Sequence, residues 1–262
     1  INNCNIKEIM KITFKLLALL MISMTYMSCG DDNPGNTQNE DGSVEMVLKV
    51  TYDGQPLVLS QDYVYPDGRA MFFSRFSFYM SELTLRTEDA TASSDEVSYL
   101  RLGEAHTNAS GAEEGLRFNL DGVKSADYVN VSFGIGVPVE QNSMAPSDFL
   151  SSNDLSLGEH WPGWNSYIFC KVEGRIDFDD DGVPETDFAL HLGADEAFVN
   201  IELDRNFKVD DNQTTELIIP IELKNLFVNN GDIYDIESNP KIHSLSQQAQ
   251  ILELANNLNT CF

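Results

Sequence analysis

From about residue 44 onward, apolar and polar residues alternate with a period of two. Met46, Leu48, Val50 and Tyr52 fall on one face and Val47, Lys49 and Thr51 on the other, the pattern of a half-buried strand. Asp53-Gly54 and Pro66-Asp67-Gly68 are turn signals. Phe76 to Leu85 reads as a long strand whose apolar phase shifts near Ser81, which predicts a bulge. Tyr99 to Leu102 continues the pattern, and Val129, Val131, Phe133 and Ile135 share one face of a further strand. Residues 139–160, with Asn142, Pro146 and Asp154, read as a loop.

Val199, Ile201 and Leu203 alternate again, as do Leu217, Ile219, Ile221 and Leu223. Pro220 cannot donate to a ladder, so its strand belongs on a sheet edge. Helical spacing comes only at the end. Ser244-Leu245-Ser246-Gln247 resembles a capping box, followed by Leu245, Ala249, Leu252 and Ala255 as the apolar face. The pattern predicts an all-β domain over residues 44–262, an antiparallel β-sandwich or barrel with a short C-terminal helix.

The stretch His160 to Gly193 is the richest in chemistry. Ile168, Cys170 and Val172 alternate with Tyr167, Phe169 and Lys171, and Phe188, Leu190 and Leu192 alternate after an acidic run, so the stretch reads as a hairpin. Its connection, Asp177-x-Asp179-x-Asp181-Gly182, matches the first half of an EF-hand calcium loop, with Val183 offering a carbonyl and Glu185 a further oxygen. The twelfth position is Phe188 rather than Glu, and Asp187, one residue early, is the substitute ligand. Hard oxygen ligands favour Ca2+. A solvated acidic turn is the plain alternative. The expectation is a cation-filled turn beside a wall of aromatic and imidazole rings.

The N-terminal region bears on the compartment. A positive start, Met10 to Lys15, precedes an apolar run from Leu16 to Met27 that closes on Ser28-Cys29. This resembles the lipobox of bacterial lipoproteins, which implies cleavage before Cys29 and its lipidation. Residues 1–28 then read as an upstream extension plus signal peptide, and 29–43 as the lipidated Cys and a flexible tether. The expected location is the bacterial cell envelope, anchored by lipid, at the outer membrane. Without residues 1–28 the chain keeps 13 basic and 41 acidic side chains, a net charge of −28. That charge argues against nucleic acid as a partner and favours cations. Cys170 and Cys261 are a candidate disulfide for an exported protein, with two buried thiols as the alternative.

The succession RFSFYMSELTL, FGIGVPVEQN, HWPGWNSYIFCKVEG and FALHLG resembles the MbnP-like family of exported bacterial proteins, related to methanobactin-associated and methanotroph copper-binding proteins. The resemblance implies an all-β domain and, as in characterised relatives, copper held by histidines near an oxidised tryptophan. On matching positions Trp164 and His191 carry the family's Trp and His-Leu-Gly, and His243 matches a further histidine. Where the family often has Met-x-Trp, this chain has His160-Trp161, which makes His160 a candidate ligand. The copper candidates are therefore His160, Trp164, His191 and His243. With no nucleophile elbow, no His-Glu-x-x-His and no phosphate-binding Gly loop, the chain reads as a non-enzyme. An envelope redox or transport partner is an open option, and the oligomeric state is not legible. The alternative function is a surface glycan- or ligand-binding lipoprotein that stacks its ligand on Trp161 and Trp164.

Overall fold

The computed structural model describes residues 41–262, so the upstream extension, the export signal, Cys29 and most of the tether lie outside the described residues. Eight longer strands and the short β3 carry the architecture: β1 (Gly42–Tyr52), β2 (Ala70–Arg86), β3 (Ser98–Arg101), β4 (Leu116–Val123), β5 (Ala126–Ile135), β6 (Ser166–Ile176), β7 (Thr186–Gly193), β8 (Val199–Val209) and β9 (Thr214–Glu222). β1 opens at Gly42, so Gly42 and Ser43 are already in the sheet.

The strands form an all-β sandwich. In the smaller sheet β1 lies between β4, antiparallel, and β9, parallel. The parallel pair departs from the antiparallel expectation. β1 and β9 are separated by almost the whole domain, so no hairpin dictates their direction. β9 is the outer strand of this sheet and Pro220 is exposed on it, as its missing N–H requires.

The larger sheet is organised around β2. Residues 71–78 of β2 pair with β6, and 80–86 pair with β5. Met71 pairs with both Tyr63 and Ile176, and Met80 with both Ser98 and Ile135. β6 and β5 therefore share one edge of β2 end to end, while short strands line the other. The handover sits at the expected bulge: the register shifts between Ser81 and Thr84, and Glu82 takes a φ of 51°. The core between the sheets is aromatic. Phe73 packs 5.3 Å from Tyr52, 6.2 Å from Phe188 and 6.1 Å from Phe227, centroid to centroid.

The terminal helix spans Gln248–Asn259, and Ser244 caps a preceding 3-10 turn, Leu245–Gln247. Its buried face is Ile251, Leu254, Ala255 and Leu258; of the expected face Ala255 is buried and Leu252 half-buried, while Leu245 and Ala249 are exposed. The extra 3-10 turn absorbs the capping residues and shifts the phase of the α-helix behind it. Cys170 and Cys261 are separate buried thiols, so the candidate disulfide is not made. Burial raises both thiols far above their ordinary range, which keeps them protonated and inert.

Candidate metal centre

β6 and β7 form the predicted hairpin, with Lys171 opposite His191 and Glu173 opposite Ala189. Side chains two apart on a strand share a face, so Lys171, Glu173 and His191 stand together. His191 is 7% exposed, and its Nε2 lies 2.7 Å from Glu173 Oε1. His191 Nδ1 is buried with no hydrogen-bond partner.

The second imidazole comes from far along the chain. The short strand Lys241–Ile242 runs parallel to β7, with Ala189 opposite Lys241 and Leu190 opposite Ile242. The next step sets His243 beside His191, and their ring centroids are 4.7 Å apart. Gln247 holds the segment in place: its Oε1 accepts from the His243 N–H at 3.0 Å and its Nε2 donates to the Lys241 carbonyl at 2.7 Å. Desolvation, then His191 and Lys241, lower the pKa of His243 below the ordinary histidine value.

The tryptophans close the site from the other strand end. His160–Trp161 pairs with Ser166–Tyr167, so the chain reverses through Pro162, Gly163, Trp164 and Asn165. Trp164 N–H donates to the Trp161 carbonyl at 3.0 Å, and the two indoles stack with centroids 5.2 Å apart and planes 6° apart. Trp161 also lies 6.0 Å from His191 and 5.5 Å from His243. Trp164 is 8% exposed and donates from Nε1 to the His243 carbonyl at 3.3 Å. An indole nitrogen is a donor only, so Trp164 forms part of the wall and offers no lone pair as a ligand. A Cβ at Gly193 would lie 3.0 Å from the Trp164 ring, so glycine there permits the close approach.

His160 does not join the pair. Its ring contacts Tyr167 at 5.0 Å and its buried Nε2 has no partner. Among the described residues, only the acidic loop brings three or more His, Cys, Asp or Glu ligand atoms within mutual reach.

A charged network backs the site. Arg75 on β2 donates to Glu159 Oε1 at 2.8 Å and to Tyr99 Oη at 2.8 Å, and approaches Glu173 at 4.0 Å. Lys171 closes on the other oxygen of Glu159. The His191 hydrogen bond holds the Glu173 carboxyl below its ordinary range against the effect of burial, with Arg75 adding to it. Burial pushes Glu159 up, but Lys171, Arg75 and Tyr99 more than offset it, so this carboxyl is also held low. Glu173 was legible as a polar position on a strand. Its partner was not, because the hairpin register depends on the geometry of its loop.

That loop is at the other end of the hairpin. Thr186 pairs with Ile176, and His191 lies five positions further on, roughly 17 Å along the strand at about 3.4 Å per residue. The expected juxtaposition of acidic turn and aromatic wall is therefore corrected. The ligand atoms of Asp177, Asp179, Asp181 and Glu185 lie within 4.8 Å of one another. Burial opposes the charge on Asp177, but N–H groups of Gly182 at 2.7 Å, Asp180 at 2.8 Å and Asp179 at 3.1 Å hold its carboxyl below the ordinary range. Val183 N–H donates to Asp181 Oδ1 at 2.8 Å. Asp187 is not in the group: it pairs with Arg175 Nε across the hairpin at 2.9 Å, because the ladder aligns these two residues directly.

The sequence profile of the MbnP family matches residues 41–244. No curated protein matches the chain. Among solved structures, MbnP from Methylosinus trichosporium is similar, with 12% sequence identity, a TM-score of 0.49, and coverage of 72% of this chain and 78% of that one.

Proposed function

The chain belongs to the MbnP family, a family linked to copper, and from that premise we propose that it is an exported, lipid-anchored protein that binds copper through His191 and His243 beneath the Trp161–Trp164 stack. The observation that carries this reading is the unpartnered, buried Nδ1 of His191 with a second imidazole 4.7 Å away, centroid to centroid. A buried polar atom without a partner costs free energy, and a shared ion would supply the missing contact. Two imidazoles bound to one ion at about 2.0 Å per bond can stand at this separation. His106 and His160 also bury an unpartnered nitrogen, but neither has an imidazole packed against it among the described ring contacts. Copper, when bound, would supply a redox-active, imidazole-preferring centre.

In the same reading Ca2+ occupies the acidic loop as a structural ion, held by Asp177, Asp179, Asp181 and Glu185. The protein is a binding protein of the cell envelope, not an enzyme, anchored through Cys29. Among the described residues no helix is long and apolar enough to cross a membrane. The glycan-platform alternative draws no support from Trp164, whose ring is buried against Trp161.

Separate titrations with Cu(I) and Ca(II) test the reading. Cu(I) binding should be lost in His191→Ala and kept in His160→Ala, and Ca(II) should raise the melting temperature of wild type but not of Asp177→Asn. Equal Cu(I) affinity in wild type and His191→Ala would remove the copper site. A melting curve indifferent to Ca(II) and to chelator would remove the structural ion.

A further inference from the structure

We propose that Glu173 is a positioning residue that holds His191 in the Nε2–H tautomer and thereby makes Nδ1 the metal-binding nitrogen. The inference rests on the copper reading above and specifies how that site is built. An ionised carboxylate only accepts hydrogen bonds, so the 2.7 Å contact with Glu173 Oε1 requires a proton on His191 Nε2. A neutral imidazole has one N–H, which leaves the lone pair on Nδ1. Nδ1 is the atom buried without a partner, and the ring it belongs to faces His243 and Trp161.

The carboxylate is itself held. Glu173 and His191 are diagonal neighbours on adjacent strands, since Lys171 pairs with His191 and Glu173 with Ala189. Arg75 reaches Glu173 from β2, on the far side of β6, and is bound in turn to Glu159 and Tyr99. Glu159 also takes Lys171, so both of its oxygens are engaged. The orientation of His191 is thus fixed by charges drawn from two strands, β2 and β6, and the segment before Trp161. A carboxylate behind a ligating histidine fixes the tautomer and increases the basicity of the other nitrogen. Among the described residues no carboxylate hydrogen-bonds the His243 ring: its backbone N–H is what Gln247 holds.

Long-range proton–nitrogen correlation of the 15N-labelled full chain, at about pH 8 where free histidine is neutral, reads the tautomer directly. In metal-free wild type His191 should show a protonated Nε2 and a bare Nδ1, and Cu(I) should shift the Nδ1 resonance. Glu173→Leu should lose the tautomer preference and bind Cu(I) about 100-fold more weakly, while Glu173→Gln, which keeps an acceptor, should lose about 10-fold. A simple packing role would not produce that order together with a tautomer change. A protonated Nδ1 in metal-free wild type, Cu(I) bound through Nε2, or wild-type affinity in Glu173→Leu would overturn the assignment while leaving a copper site standing. Failure of wild type to bind Cu(I) would instead sink the copper reading and this assignment with it. If Glu173→Leu does not fold, the wild-type spectra still decide.

Discussion

Three described histidines bury a ring nitrogen without a partner, and their neighbours separate them. His106 is fully buried and donates from Nδ1 to the Leu57 carbonyl at 2.7 Å, so Nε2 faces only the interior. Desolvation lowers its pKa, with the Leu57 hydrogen bond opposing and Lys49 adding to the shift. The unfolded chain, near the ordinary value of about 6.5, therefore binds this proton more readily than the folded one. Its contribution to stability is complete above about pH 6.5 and is lost as pH falls toward the depressed folded value. Urea unfolding at about pH 7.5 and about pH 5.5 should show wild type losing more stability on acidification than His106→Gln. Equal losses would mean that His106 does not titrate as described. The same residue scale explains why the acidic loop could be read locally while the paired histidines could not. Asp177 engages N–H groups within five positions of itself, whereas His191 meets His243 only through a distant strand.

At the scale of elements, the terminal helix tests how phase is set. Ser244 was legible as a cap and does cap, accepting from Ser246 N–H at 3.2 Å, but the turn it starts is 3-10. A 3-10 turn advances differently from an α-turn, so the apolar stripe read from Leu245 onward misses the buried face at Leu245 and Ala249 and reaches it at Ala255. Leu254, fully buried, should cost about 2–5 kcal/mol when replaced by Ala. Leu245, 41% exposed, should cost within about 0.5 kcal/mol. Denaturant titration of the two variants gives the answer, and comparable losses would restore the sequence-derived face. The bulge near Ser81 shows the opposite case. A local break in alternation marked the point where β2 passes from β6 to β5, though nothing local named those partners.

At the scale of the whole molecule, acidic charge dominates, at −26 for the full sequence. Exposed ion pairs such as Arg117 with Glu45 and Glu216, or Arg86 with Glu202, contribute only about 0–1 kcal/mol each. Self-repulsion acts over many more groups and weakens as the screening length falls from about 30 Å at 0.01 M salt to about 8 Å at 0.15 M. Added NaCl should therefore raise the melting temperature of chelator-treated protein. A fall would show that the ion pairs outweigh the repulsion.

What this sequence determined alone was the set of elements: strands with period two, the hairpin from Tyr167 to Leu192, its acidic turn, the outer position of Pro220, and the ordered motifs that mark the family. These are written in neighbouring residues, because backbone sterics and side-chain alternation act over a few positions. The tertiary structure alone decided that β1 and β9 run parallel, that His243 stands against His191, that Trp161 covers Trp164, and that Glu173 meets the Nε2 side of the His191 ring. It also placed the acidic turn at the far end of the hairpin from the rings. Register and long-range pairing follow from how all the buried faces pack at once, and no short window of residues contains that information.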